Sequence, residues 1–250
     1  MNNSTHIHWL AVCLLFFCSL NCGQSAKLAK VEDDDKTALR DRRAGETVSE
    51  DAVRNFNIDS CFLQTSISQN VLYRMRGNSY KDNNHIKLND LCYVKVLHWG
   101  FDNKIHIGEM VCNRIIADKL VIIFRTLYEQ GYQIEKMELP DKYNADDELQ
   151  MRANNSSCFL YRNISGSKQL SKHARGLAVD INPLYNPYYK DQANGTRKVQ
   201  PATAKKYCDR TKSFPHKIDH NDLAYKLFTQ YGFKWGGDWK SCKDFQHFEW

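Results

Sequence analysis

The order of predicted elements between Leu91 and Tyr128 limits the fold more than any other feature of the chain. Two short segments, Leu91 to Trp99 and Lys104 to Val111, are predicted strands. From Ile115 to Tyr128 the apolar residues recur at helical spacing, and Gly131 follows where the helix should stop. Strands and a helix must therefore pack together in one core.

A second helix is predicted from Asn221 to Tyr231, with Asp219 or Asn221 as its N-cap and Gly232 just past its end. The order of helices and strands has no regular β-α-β repeat, which argues against a doubly wound parallel sheet. We therefore predict an α+β fold: one small domain with a central antiparallel sheet, flanking helices and a cleft.

Composition excludes two classes of protein. Of the 250 residues, 42% are hydrophobic, and the chain contains 12 Gly and 5 Pro, so it is neither collagen-like nor wholly disordered. The formal net charge of +6 favours anionic partners. However, no basic stripe interleaved with aromatic residues is present, and we therefore expect no nucleic-acid partner.

The N-terminus carries a short apolar run from Trp9 to Leu20. A membrane-spanning helix needs about 20 apolar residues, so this run predicts a signal peptide over residues 1–25 and no stable membrane span. The alternative is a lipoprotein signal in which Cys22 carries a lipid anchor. Either reading predicts an exported protein, located in the periplasm, in the cell envelope or outside the cell.

Residues 26–55 are charge-dense and predict a solvated tether. Residues 56–250 then form one domain, in which the motif-bearing core covers 110–250. Of nine cysteines, three lie in the predicted signal peptide, and the other six permit up to three disulfides in an exported chain or remain in part as free thiols.

The segment 171–189, SKHARGLAVDINPLYNPYY, carries the first candidate site residues. From Gly176 to Ile181 large and small residues alternate, as on a strand, so Asp180 should point into a cleft lined by small residues. His173 lies just upstream, where a loop can fold it over the same face. A carboxylate and an imidazole together suit Zn²⁺.

The second candidate segment, GFKWGGDWKSCKDFQHFEW, runs from 232 to 250. On a strand, His247 and Glu249 share one face, and Asp244 lies just before it. His173, Asp180 and His247 would provide three ligands and leave a fourth tetrahedral position open, which is typical of a catalytic zinc. Asp244 would then be placed to accept a proton.

Together the two segments resemble a known family of peptidases. SKHARGLAVDINPLYNPY resembles the S-x-H-x-x-G-x-A-x-D motif of zinc D-Ala-D-Ala carboxypeptidases and dipeptidases. WGGDW, followed by DFQHFE, resembles the L-alanyl-D-glutamate endopeptidase branch, which includes phage endolysins and other cell-wall hydrolases. The resemblance extends from about Met110 to Trp250.

The resemblance implies a role for each matching residue. His173, Asp180 and His247 match the zinc ligands, and Asp244 matches the catalytic carboxylate. The family also uses an arginine to polarise the scissile carbonyl, for which Arg162 is the candidate and Arg152 the alternative. Ser171 matches a position near the substrate or behind the ligands, and Glu249 is placed to orient His247 through its other ring nitrogen.

We therefore predict a monomeric, exported zinc metallopeptidase that hydrolyses peptide stems of peptidoglycan, with Zn²⁺ as its cofactor. The motifs leave carboxypeptidase and endopeptidase action open. One alternative is a zinc-containing cell-wall binding module without turnover. Another is a structural zinc domain in which Asp244 or Cys242 supplies a fourth ligand.

Overall fold

The computed structural model describes residues 42–55 and 58–250. The strands are β1 Thr47–Val48, β2 Leu63–Ser66, β3 Leu91–Trp99, β4 Ile105–Asn113, β5 Ala178–Asp180, β6 Tyr188–Asp191, β7 Arg197–Gln200, β8 Lys234–Trp235, β9 Lys243–Asp244 and β10 His247–Glu249. The α-helices are α1 Glu50–Asn55, α2 Gln69–Met75, α3 Arg114–Glu129, α4 Asp147–Arg152 and α5 Leu223–Gln230. Short 3-10 helices include His173–Arg175 and Gly236–Asp238. The mixture agrees with the predicted α+β class.

The largest sheet is four-stranded and antiparallel, in the order β1-β4-β3-β2. Its centre is the hairpin of β3 and β4, in which Leu91 lies opposite Asn113 and Trp99 opposite Ile105. Strand β4 continues two residues beyond the predicted end at Val111. It stops at Asn113 because this side chain accepts a hydrogen bond from the Ile115 N–H and so caps α3.

Part of the predicted tether has regular structure. Residues 42–55 include β1, which pairs with β4 through Thr47 opposite His106, and helix α1, which buries Ala52 and Val53. A strand of two residues among charged neighbours has no periodicity of its own, and pairing with β4 supplies its backbone partners. The predicted signal peptide and residues 26–41 of the tether lie outside the described residues.

Helices α3 and α5 pack on each other, and α5 also packs on the last strand, β10. The described α3 matches the prediction within a residue at each end. Phe228 of α5 contacts Phe124 of α3 edge-on and stacks on Phe248 of β10, with ring centroids 6.2 and 4.5 Å apart. The aromatic contacts therefore fix β10 against the helical layer.

The cap of α5 differs from both predicted residues. Asp222 is the cap, because its Oδ1 accepts hydrogen bonds from the N–H groups of Ala224 and Tyr225. Asp219 instead accepts from the Asn221 N–H in the preceding turn. Helix α5 consequently begins at Leu223, two residues later than predicted.

The C-terminal part contains two further small antiparallel sheets, β5-β10-β8 and β7-β6-β9, in addition to the central antiparallel sheet that was predicted. Only Phe245 and Gln246 separate β9 from β10, although the two strands belong to different sheets. This short connection joins the edge strand of one sheet, β9, to the central strand of the other, β10. The candidate site lies at that junction.

All six cysteines of the predicted domain are free thiols, so the structure contains none of the up to three disulfides that the sequence allowed. Cys92 and Cys112 lie opposite each other on β3 and β4, with their sulfur atoms 4.0 Å apart. Across the part of the chain that the structure describes, no helix combines the length and the apolar character needed to cross a membrane.

Candidate metal centre

Three side chains from distant parts of the chain meet at the junction of the two small sheets. Nε2 of His173 lies 3.1 Å from Nδ1 of His247 and 3.2 Å from Oδ2 of Asp180. Nδ1 of His247 lies 3.1 Å from Oδ1 of Asp180. Within the described residues these three form the one group of His, Cys, Asp or Glu side chains spaced to hold a metal ion.

His173 is positioned by a 3-10 turn. The Ser171 hydroxyl accepts a hydrogen bond from the Ala174 N–H and closes the turn. The turn ends at Gly176, whose φ of +64° suits glycine and whose Cβ, if present, would lie 2.5 Å from the Asn113 nitrogen. Because the Asn113 N–H also donates to the Gly176 carbonyl, the turn is fixed to the end of β4.

The ring of His173 has one nitrogen committed to the backbone. Its Nδ1 lies 2.7 Å from the carbonyl oxygen of Cys158, so Nδ1–H must be the donor. In the neutral ring the lone pair is therefore on Nε2, the atom that faces Asp180 and His247. This tautomer is the one that a metal ion at the site requires.

Asp180 and His247 face each other because of strand register. The two residues are directly opposite on β5 and β10. Nε2 of His247 lies 3.4 Å from Oε2 of Glu249, while Nδ1 faces Asp180. Glu249 therefore favours the tautomer in which the lone pair of His247 is on Nδ1.

The charges of Asp180 and the two histidines change one another's pKa values. Burial opposes ionisation of Asp180, but the charges and hydrogen bonds of His173 and His247 outweigh it and lower the pKa of this carboxyl well below its usual range. Burial would likewise lower the pKa of His247, but hydrogen bonds to Asp180 and Glu249 raise it to about 10. A metal ion has to displace this proton from His247 in order to bind.

Asp244 ends β9 beside this group. Its Oδ1 is buried and has no hydrogen-bond partner. Burial is the main reason why the pKa of Asp244 is raised to about 7, although the charge of His247 opposes the shift. The backbone approaches closely here, since a Cβ on Gly236 would lie 2.6 Å from the Asp244 carbonyl oxygen. Asp244 thus combines a free acceptor atom with a pKa suited to proton transfer at neutral pH.

The two candidate arginines have different surroundings. The guanidinium of Arg162 is close enough to Asp244 to lower its pKa, and its buried Nε has no partner. Arg152 is exposed and pairs with Glu148 at 2.8 Å. The geometry therefore favours Arg162 over Arg152 as the cation next to Asp244.

The donor set fits a zinc ion. Ligands bound tetrahedrally at about 2.0–2.1 Å from one Zn²⁺ lie about 3.3 Å apart. The two imidazole nitrogens lie 3.1 Å apart, and each lies 3.1–3.2 Å from one of the two oxygens of Asp180. With one ligand atom taken from each residue, the three atoms lie within 4.8 Å of one another. Once His247 has lost its proton, the lone pairs of both imidazoles are directed inward. Two imidazoles and one carboxylate are ligands that Zn²⁺ accepts.

Some contacts at the site had no signal in the sequence. The Cys158 carbonyl that orients His173 belongs to the main chain, which every residue type provides. The ring of Trp239 lies 5.2 Å from that of His247, centroid to centroid, so this aromatic side chain forms one wall beside the ligands. Arg162 is paired with Asp147, which lies on a different element, so no local pattern in the sequence indicates the contact.

Comparison with known proteins agrees with the two motifs. Residues 165–250 match a family model described as D-alanyl-D-alanine carboxypeptidase. No curated protein and no solved structure has a significant match to the chain. The matched segment contains His173, Asp180, Asp244 and His247, whereas Arg162 lies just before it. The resemblance to the zinc D-Ala-D-Ala carboxypeptidase family is thereby confirmed in the segment that forms the site, and at the level of this family it supports a peptidase that acts on peptidoglycan.

Proposed function

We propose that the protein is a zinc-dependent peptidase that hydrolyses a peptide bond in the stem peptides of peptidoglycan. The observation that carries the proposal is the convergence of His173, Asp180 and His247 with the unpartnered Oδ1 of Asp244 beside them. Three protein ligands with an acid or base next to them are typical of hydrolytic zinc sites. The family match at residues 165–250 supports the same chemistry.

His173, Asp180 and His247 would hold the metal. When bound, Zn²⁺ supplies a Lewis acid that polarises a carbonyl and lowers the pKa of water towards about 7. Oδ1 of Asp244 would accept a proton from the attacking water and then release it to the leaving amine. The guanidinium of Arg162 would donate hydrogen bonds to the negative charge that develops on the scissile carbonyl oxygen.

Two supporting roles complete the proposal. Ser171 would act through the turn that it closes rather than through the substrate, because its hydroxyl oxygen accepts a bond from Ala174 and the side chain is buried. Glu249 would fix the ring of His247. We further propose that the protein is exported, since the substrate lies outside the cytoplasm. We also propose that it acts as a monomer.

The first test is hydrolysis by the zinc-loaded protein. Purified peptidoglycan and a stem pentapeptide ending in D-Ala-D-Ala are the two substrates, and mass spectrometry identifies the released fragments. Loss of a terminal D-alanine would assign carboxypeptidase action, and cleavage between L-alanine and D-glutamate would assign endopeptidase action.

Asp244→Asn should lower kcat by about 100-fold to 10,000-fold, because it removes the proton acceptor. It should leave one zinc per chain, whereas His173→Ala should lose the metal. Asp238→Asn is the matched control, since Asp238 belongs to the same segment but is exposed and pairs with His220. Full activity of Asp244→Asn would contradict the mechanism. One zinc per chain without any product would favour the alternative of a binding module.

A further inference from the structure

The backbone of Arg162 is held next to the turn of His173. The segment 158–162 runs alongside 171–173, and the Leu160 N–H donates to the His173 carbonyl while the Ser171 N–H donates to the Arg162 carbonyl. The Tyr161 N–H donates to the Ser79 carbonyl on the other side. These bonds fix where the side chain of Arg162 begins, but they do not fix its direction.

Asp147 supplies that direction. Its Oδ2 lies 2.7 Å from Nη2 of Arg162, a distance typical of a charge-assisted hydrogen bond. The second contact of the guanidinium, from Nη1 to the Asn163 carbonyl, is longer, at 3.4 Å. Nε is buried and has no partner, so the strong contact is confined to one end of the group.

Asp147 is itself held in place. It is the first residue of α4, whose cap Asp146 accepts a hydrogen bond from the Leu149 N–H. Oδ1 of Asp147 accepts from Nε2 of Gln150, a buried side chain one turn further along the helix. The carboxylate therefore has one oxygen fixed by its own helix and the other available to Arg162.

We propose that Asp147 is a positioning residue, which holds the guanidinium of Arg162 in the direction of Asp244 and of the scissile carbonyl. The inference rests on the proposed function and adds a residue that lies outside the matched segment. The side chains of Asp147 and Arg162 are each about a third exposed, at 28% and 32%, and pairs of such exposure contribute little to stability. The contribution of Asp147 is therefore to orient the side chain of Arg162, which has many rotamers.

The kinetic test compares variants at and beside the pair. Asp147→Asn should lower kcat by about 10-fold to 100-fold, the scale of a 1 Å misplacement, with a smaller change in KM. Asp147→Glu should restore part of the loss. In an Arg162→Ala background the Asp147→Asn change should have less than about a twofold effect, since the partner is already absent.

Glu148→Gln is the matched control, because Glu148 is the next residue of α4 and pairs with Arg152 instead. It should keep kcat within about twofold of the original. If the original protein hydrolyses the pentapeptide and Asp147→Asn is equally active, the inference is wrong and the proposed function stands. An equal loss in the presence and absence of Arg162 would also overturn the inference, since it would show that Asp147 acts by another route.

A second measurement needs neither metal nor substrate. Nitrogen-15 NMR of the metal-free full chain should show separate Nη signals for Arg162, assigned with Arg162→Lys, because the bond to Asp147 slows rotation of the guanidinium. The signals should merge in Asp147→Asn. Merged signals in the original protein would overturn the inference. Because this measurement does not depend on activity, it tests the inference even if the zinc-loaded protein hydrolyses neither substrate and the proposed function fails.

Discussion

Gly176 lies between two of the candidate ligands, His173 and Asp180, and has no room for a side chain. Its φ is +64°, and an added Cβ would lie 2.5 Å from the Asn113 nitrogen and 3.0 Å from the Cys112 carbonyl carbon. Both neighbours are backbone atoms of β4, which cannot move aside as a flexible side chain would. The residue therefore sets how closely the turn of His173 approaches the large sheet.

Gly176→Ala should lower the free energy of unfolding by about 3 kcal/mol or more, because the left-handed conformation and a backbone clash add up. Gly131→Ala is the matched control, since its φ is +67° and nothing lies within 4 Å of an added Cβ. It should cost about 1 kcal/mol, the conformational part alone. Urea denaturation measures both, and equal costs for the two variants would contradict the packing argument.

Glu249 can be tested through the metal rather than through activity. Its Oε2 lies 3.4 Å from Nε2 of His247, on the side of the ring away from Asp180. Glu249→Ala should raise the Kd for Zn²⁺ by about 10-fold to 100-fold, since the ring loses the acceptor that fixes its tautomer. Competition with a chromogenic chelator measures the constant. An unchanged Kd would show that the strand alone orients His247.

Among the elements, the cap of α5 makes stability depend on pH. Burial raises the pKa of Asp222 to about 6, although hydrogen bonds from the N–H groups of Tyr225 and Ala224 oppose the shift. In the unfolded chain the pKa of an aspartate is about 3.9. The folded protein therefore holds this proton more tightly. The resulting stabilisation is complete below about pH 4 and is lost as the pH rises through about 6.

Asp222→Asn should remove this dependence, since asparagine also caps helices but does not titrate in this range. The unfolding free energy of the original protein, minus that of Asp222→Asn, should fall by about 2–3 kcal/mol between pH 4 and pH 7. Urea titrations of both proteins across this range measure the difference. Parallel pH profiles would contradict the shift.

The elements with strong periodicity could be predicted, and those held by pairing could not. Helix α3 and the hairpin of β3 and β4 have apolar patterns long enough to identify them. Strand β1 has two residues and depends on β4 for its hydrogen bonds. Three residues that can each cap a helix lie close together at 219–222, so the sequence could not select Asp222.

For the candidate site, the sequence predicted which side chains meet but not what holds them. The spacing of His173, Asp180 and His247 follows from two motifs, and strand register then brings Asp180 opposite His247. The bond between Asp147 and Arg162 joins residues on different elements, and no local pattern indicates it.

At the scale of the whole molecule, the site depends on chain outside the matched segment. The carbonyl that orients His173 belongs to residue 158. The turn that carries His173 is hydrogen-bonded to Asn113 at the end of β4. Phe248 of β10 stacks on Phe228, which in turn contacts Phe124 of α3. The large sheet and α3 are therefore part of the support for the ligands.

A fragment of residues 165–250 should consequently fail to form the site. We expect its circular dichroism to lack the native helix and strand signals, and its affinity for Zn²⁺ to be far below that of the full chain, because α3, β4 and the Cys158 carbonyl are missing. Calorimetric titration with Zn²⁺ measures the affinity. A folded fragment with the affinity of the full chain would show that residues 42–164 do not support the site.

The hydrogen bond from His173 to the oxygen of residue 158 also affects how relatives of this protein should vary. Every amino acid supplies that oxygen, so the bond survives any replacement that fits the buried position and keeps the backbone in place. Residue 158 can therefore differ between relatives while its carbonyl oxygen still accepts the hydrogen bond from His173. A comparison that scores residue identity does not detect such a bond, and residue 158 lies outside the matched segment 165–250 although it orients His173.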